Sequence, residues 1–188
     1  MSPAQAHGAH FHAVRFYEDD ISLCRIVSNF ILDGLTHDQP AIVVATAPHV
    51  GGILDNLRSA SIDVDALTRD GNLMLLDARQ TLAKFMVNGQ PDPDFFKATA
   101  SQALGELAAG RKKTIRAYGE MVDVLWKDGQ STAAIKLEML WNRLANTHDF
   151  SLLCGYAMGN FYKDATIEDV CRHHTHVIAP TGEPVAIA

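Results

Sequence analysis

This 188-residue chain is most readily described by what it lacks. No stretch matches G-x-x-x-x-G-K-[ST] and none matches G-x-G-x-x-G, so a nucleotide held by a glycine-rich loop is disfavoured. Gly51-Gly52 follows an apolar run, but no Lys-Ser or Lys-Thr comes after it. G-x-S-x-G is absent too, which removes the serine elbow of the α/β hydrolases. No apolar run approaches the roughly 18 residues of a membrane span. Cysteine is scarce: Cys24, Cys154 and Cys171 are an odd number at wide spacing. The N-terminus is polar and His-rich and does not resemble a signal peptide, so the expectation is a reduced, cytoplasmic protein. Basic residues are outnumbered, 16 Lys and Arg against 22 Asp and Glu, for a formal charge of −6. The one basic cluster, Arg111-Lys112-Lys113, reads as a solvated turn. No stripe exists to neutralise a phosphate backbone, so direct nucleic-acid binding is not expected.

What remains is an ordinary globular composition, 47% apolar and 20% charged, with length for one domain and a full core. Residues 1–10 carry no periodicity and are expected to be mobile, 11–178 to form one domain, and 179–188 to be a tail. Phe11–Tyr17 alternates as a strand. Glu18-Asp19-Asp20 then caps a helix over about Ile21–Leu35, with Leu23, Val27, Phe30 and Ile31 on one face. Ala41–Ala45 is an unbroken apolar run, as a parallel strand buried on both faces requires. A helix to about Ser59, a connector over Asp63–Asp70 and a strand over Asn72–Leu76 follow. Thr81–Val87 is predicted helical and is broken by Asn88-Gly89-Gln90-Pro91. Asp92 caps a helix to about Ala109, with Pro93 at its first position and Gly110 as its stop. Strands alternating with helices predict an α/β fold with a mostly parallel central sheet of five strands, flanked by five or six helices.

The stretch Thr114–Tyr156 organises the chain. A strand ends at Gly119-Glu120, the short helical piece Met121–Trp126 follows, a helix starts at Ser131, and Phe150–Tyr156 is a second strand. This is a crossover between parallel strands, and ligand crevices in such sheets lie at the carboxyl ends of the strands. Glu120 and Cys154–Tyr156 are therefore expected to face one site. Glu120 either anchors a ligand or acts as a general base there, or caps the short helix. Cys154 reads as a thiol sensor or as a small buried hydrophobe. Trp141 shares a stripe with Leu137, Leu140 and Leu144 and is expected in the core. Glu138 and Asn142, four apart, pair along their helix or reach a neighbouring loop. Cys171-x-His173-His174-x-His176 holds metal-ligand residue types at a spacing that fits no common structural site, and supports a rival metal- or haem-binding reading. A hydrolase or transferase is the third class, though no nucleophile and base pair is recognisable.

Several pieces together resemble the MEDS domain, the sensory domain named for methanogens, methylotrophs and the regulator DcmR. They are Phe16-Tyr17-Glu18-Asp19-Asp20, Thr46-x-x-His49, Leu76-Asp77-Ala78, Asn88-Gly89-x-Pro91-Asp92, Gly119-Glu120-Met121-Val122, Leu137-Glu138-x-x-Trp141-Asn142 and Phe150–Tyr156. The resemblance implies a RecA/KaiC-like fold without its phosphate loop, and a non-enzymatic sensor of small hydrocarbon-derived molecules. The ligand-binding residues expected on this basis are Tyr17, Glu18, Thr46, His49, Asp77, Glu120, Met121, Trp126, Cys154 and Tyr156, with no cofactor. Neither a kinase nor a DNA-binding module accompanies the domain in this sequence. The expected output is therefore a signalling partner, a kinase or transcription regulator, with self-association left open.

Overall fold

Ala41–Ala45 is buried at every position, as its unbroken apolar run requires of a central strand. The computed structural model describes residues 10–108, 113–161 and 167–187. In chain order the elements are β1 (His12–Tyr17), α1 (Asp20–Thr36), β2 (Ala41–Ala45), α2 (Ala47–Ser59), α3 (Val64–Arg69), β3 (Leu73–Asp77), α4 (Ala78–Ala83), β4 (Met86–Val87) and β5 (Gln90–Pro91). Then come α5 (Pro93–Ala108), β6 (Ile115–Gly119), α6 (Met121–Lys127), α7 (Ser131–Leu144), β7 (Phe150–Ala157), a 3-10 turn (Met158–Asn160), α8 (Ile167–Cys171), β8 (His176–Ile178) and β9 (Pro184–Ala186).

The main sheet has seven strands in the order β3-β2-β6-β7-β1-β8-β9. All neighbours are parallel except β8 and β9. The α/β class and the five expected strands are therefore present, but β8 and β9 extend the sheet beyond the expected five, and the described residues form eight α-helices where five or six were expected. Strand periodicity divides the core in two. Val14, Ile42, Val44, Ala117, Leu152, Cys154 and Tyr156 pack with α4 to α7 on one face. Ala13, Tyr17, Val43, Tyr118 and Leu153 pack with α1, α2 and α3 on the other. Trp141 is buried, edge-on to Phe96 and Phe150, as its stripe predicts.

Three expectations are corrected. The helix over Thr81–Val87 stops at Ala83, and Met86–Val87 pairs antiparallel with Gln90–Pro91. Asn88 and Gly89 both have positive φ, 50° and 75°, the conformation that a two-residue hairpin turn selects. Asp63–Asp70 is helical over Val64–Arg69, with the Asp63 carboxylate accepting from Ala66 N at 2.9 Å. The supposed tail from residue 179 contributes β9, which pairs with β8 through a turn at Gly182, φ 92°. Of the segment 1–10 expected to be mobile, residues 1–9 lie outside the described residues, as do the stop at Gly110 and the basic pair Arg111-Lys112.

Gly155 leaves room for the Tyr118 side chain on the α1 face of β7. A Cβ there would lie 2.8 Å from the Tyr118 hydroxyl and 3.4 Å from Leu23 Cδ1, whereas one at Gly119 would meet nothing within 4 Å. Tyr118 is fully buried and cannot swing out of the way. Gly155→Ala is therefore expected to cost about 1–3 kcal/mol by overpacking, read from the urea midpoint, and Gly119→Ala much less. Equal effects of the two substitutions would contradict this packing.

Candidate functional site

β6 ends at Gly119, and the Glu120 backbone N–H continues its ladder by donating to Val44 O at 3.0 Å. This pins a carboxylate at the carboxyl ends of β2 and β6, only 1% exposed. A buried carboxylate needs donors, and three converge on it. Oε1 accepts the Thr46 backbone N–H, while Oε2 accepts from His49 Nδ1 at 2.5 Å and from the Tyr118 hydroxyl at 3.2 Å. The Glu120 side chain does not cap α6, which decides against that reading. His49 Nε2 in turn lies 3.1 Å from Asp20 Oδ1, and Asp20 is solvent-exposed. Asp20, His49 and Glu120 thus form a carboxylate–imidazole–carboxylate chain from the surface at the start of α1 to the buried end of β6. The bond to Glu120, opposed by burial and supported by Asp20, raises the His49 pKa above 6.5.

Asp123 braces the same rim. Its Oδ2 accepts from the Tyr17 hydroxyl at 2.9 Å and pairs with Lys127 Nζ at 2.8 Å. Its Oδ1 accepts from Ala157 N and from Asn160 Nδ2, both at 2.9 Å. The ends of β1 and β7 are thereby tied to α6. The Tyr17 ring stands edge-on to His49 at 5.8 Å between centroids. Burial, then Asp123, push the Tyr17 hydroxyl pKa far up, so Tyr17 stays a donor. At the start of α1, Asp19 accepts from Ser22 N at 2.7 Å. The helix N-terminus that would hold a phosphate is therefore occupied by the chain's own carboxylate.

Of the expected ligand residues, Tyr17, Thr46, His49 and Glu120 are gathered here. Glu18 is exposed. Asp77, at the end of the edge strand β3, caps α4 by accepting from Gln80 N at 2.8 Å. Met121, Trp126, Cys154 and Tyr156 belong to the opposite core, against the expectation that Glu120 and Cys154–Tyr156 face one site. The reason is the period of two: Cys154 and Tyr156 share the face of Leu152, while Tyr118, which bonds Glu120, shares that of Leu153. Sequence reasoning missed Asp20, Tyr118, Asp123 and Lys127. Asp123 carried a signal, since it interrupts the apolar run Met121–Trp126 and is nonetheless buried.

A second polar centre lies on the α7 face. Glu138, fully buried, has His12 Nε2 3.2 Å and Cys154 Sγ 3.5 Å from Oε2. The Tyr156 hydroxyl donates to its Oε1 at 2.8 Å, and His174 Nε2 lies 3.4 Å from the same oxygen. Burial alone would raise the Glu138 carboxyl, whereas His174 and His12, when protonated, would outweigh it and hold the group well below the usual carboxylate range. Burial, reinforced by Glu138, pushes the Cys154 thiol up, so metal-free Cys154 is no ready nucleophile. The rival grouping of Cys171, His173, His174 and His176 is corrected. Among the described residues only His174 joins a ligand-type cluster. His173 offers its backbone carbonyl to Asn142 Nδ2, and the His176 ring stacks on Phe11. Glu138 was legible as a charge on the stripe of Ala134, Leu137 and Trp141, and His12 as a polar residue in phase with Val14.

A cavity of about 290 Å³ lies away from both centres, lined by Phe11, Ile26, Phe30, Arg116, Leu153 and Ile178 among others.

The parallel sheet, its crossover helices and the strand-end carboxylates define a RecA/KaiC-type α/β domain whose phosphate-loop position is acidic. The chain is similar to the crystal structure of a KaiC-like protein from the hyperthermophilic archaeon Pyrococcus horikoshii, with a TM-score of 0.60 and 14% identity over 88% of this chain and 70% of that one. The sequence profile of the MEDS family, the methanogen/methylotroph, DcmR sensory domain, matches residues 11–175, and the chain belongs to that family. No curated protein matches it. No helix among the described residues is long and apolar enough to cross a membrane.

The His49 shift carries a sign. Its folded pKa is raised, so its contribution to stability is full below the unfolded value of about 6.5 and is lost as pH rises through the folded value. The difference in melting temperature between wild type and His49→Gln is expected to shrink as pH rises through that window. A difference that is flat or grows would contradict the ion pairs assigned to His49.

Proposed function

We propose that this domain is the non-enzymatic input module of a cytoplasmic signalling system. It binds a small, polar-headed hydrocarbon derivative at the crevice of Tyr17, Thr46, His49 and Glu120. The observation that supports it is the Asp20–His49–Glu120 chain, standing where a RecA-type ATPase would hold phosphate. Acidic side chains there repel a triphosphate, and the Lys127 ammonium at the same rim is already paired with Asp123. A ligand with a hydroxyl or carboxyl head would exchange bonds with His49 or Glu120 and so disturb a contact joining α1, α2 and β6. The family's sensory character supports the role of input module. The output is a partner protein, a kinase or transcription regulator, reached through movement of α1 and α2.

Two calorimetric measurements test this. Mg-ATP is expected to give no heat above dilution; a dissociation constant near or below about 1 μM, roughly −8 kcal/mol, would overturn the reading. In a panel of short alcohols, carboxylates and halogenated alkanes, a binder is expected to lose at least tenfold in affinity, about 1.4 kcal/mol, in Glu120→Gln. That variant keeps the shape and removes the charge, so unchanged affinity would remove Glu120 from the site.

A further inference from the structure

On the opposite face of the sheet from the proposed crevice, and independent of it, the His12, Cys154, Glu138 and His174 side chains converge. Their ligand atoms all lie within 4.8 Å of one another, and all four residues are buried. We infer that this cluster is a closed, four-ligand site for a zinc-like divalent cation.

The first ground is distance. Tetrahedral zinc with Zn–N and Zn–O of about 2.0–2.2 Å and Zn–S of about 2.3 Å sets its ligand atoms about 3.3–3.6 Å apart. Here His12 Nε2 to Cys154 Sγ is 3.4 Å, His12 Nε2 to Glu138 Oε2 is 3.2 Å, and Cys154 Sγ to Glu138 Oε2 is 3.5 Å. His174 Nε2 lies 3.4 Å from the other Glu138 oxygen. Three of the ligand atoms thus already have nearly the edge lengths of one face of a coordination tetrahedron, and the ligand atom of His174 lies within 4.8 Å of them.

The second ground is the direction of the lone pairs. Asn142 Nδ2 donates to His173 O, so its Oδ1 is the acceptor facing His12 Nδ1 at 2.9 Å. His174 Nδ1 lies 2.8 Å from Val170 O, which can only accept. Both rings therefore carry the proton on Nδ1 and aim a bare Nε2 at the cluster centre, the arrangement that outer hydrogen bonds impose on metal-binding histidines. Without a cation those lone pairs face a carboxylate. His174 Nε2, wholly buried, has no hydrogen-bond partner. One added proton serves one ring and leaves the other lone pair against Glu138. Two would set a pair of imidazolium rings 4.1 Å apart between centroids in the buried core.

The third ground is charge. One carboxylate, one thiolate and two neutral imidazoles balance a divalent cation, so a net-neutral unit is buried. Coordination breaks the Cys154 S–H bond and releases its proton to solvent. Two nitrogens, one sulfur and one oxygen in tetrahedral array suit zinc. Four protein ligands leave no open position, which makes the site structural. It would clamp the segment carrying His174 onto β1, β7 and α7.

The test uses the full chain. About one equivalent of zinc is expected to survive gel filtration, and chelation should lower the melting temperature. Re-adding cobalt(II) to the chelated protein should produce a thiolate charge-transfer band and the intense visible bands of a tetrahedral ion. Cys154→Ser should abolish the charge-transfer band and Cys171→Ser should leave it intact. His174→Ala should weaken zinc at least tenfold. A chelated, folded wild type that takes up neither ion at about 1 μM would overturn the site, whether or not the variants fold. So would a charge-transfer band that survives Cys154→Ser.

Discussion

A carboxylate withdrawn from water, that of Glu120, sets the terms for much of this fold. An ionised carboxylate in a protein interior is tolerated only where donors or cations surround it. Glu120 meets that demand with a backbone N–H from the start of α2, an imidazole from α2 and a phenol from β6. Each partner has its own support. Tyr118 can lie where it does because residue 155 has no side chain. His49 is held from the far side by Asp20. Removing any one of them would leave a buried charge short of a partner, so α1, α2, β2, β6 and β7 are coupled through one group.

Under the proposed sensory reading, that chain of contacts would carry a signal from the strand ends into the fold. Its inner end is buried and its outer end, Asp20, reaches solvent. The imidazole between them has two anionic partners and a pKa moved up from that of free histidine. In the proposed reading, a ligand that competed for either nitrogen would shift the balance between α1 and β6 without bond chemistry. The likeness to a KaiC-like structure concerns the fold, and the chain departs from a phosphate site in its residues. Asp19 already occupies the N-terminus of α1.

The fold was largely legible in the sequence because its signals are local. The continuous run Ala41–Ala45, the crossover from Thr114 to Tyr156 and the stripe of Leu137, Leu140, Trp141 and Leu144 each state a burial pattern within a few residues. The Asn88-Gly89 turn is equally legible, but two-residue strands carry too little pattern to distinguish its hairpin from a helix break. Glu120 was found by its position after a strand. Its companions were not, because Tyr118 in a fully buried strand has no polar phase and Asp20 reads as one of three acids before a helix. The second centre escaped for a different reason. His12, Glu138, Cys154 and His174 come from four separate segments, and only the strand order β7-β1-β8 brings them together. The nearby run of Cys171, His173 and His176 drew attention through adjacency in sequence, which says little about adjacency in space.

The most direct test of the strand-end centre is the titration of His49 itself, followed by nitrogen-edited NMR in the intact chain. The account predicts a midpoint above the 6.5 of an unperturbed histidine, with much of that rise lost in Glu120→Gln. A midpoint at or below 6.5, or the same midpoint in both proteins, would contradict the Asp20–His49–Glu120 chain on which the sensory reading rests.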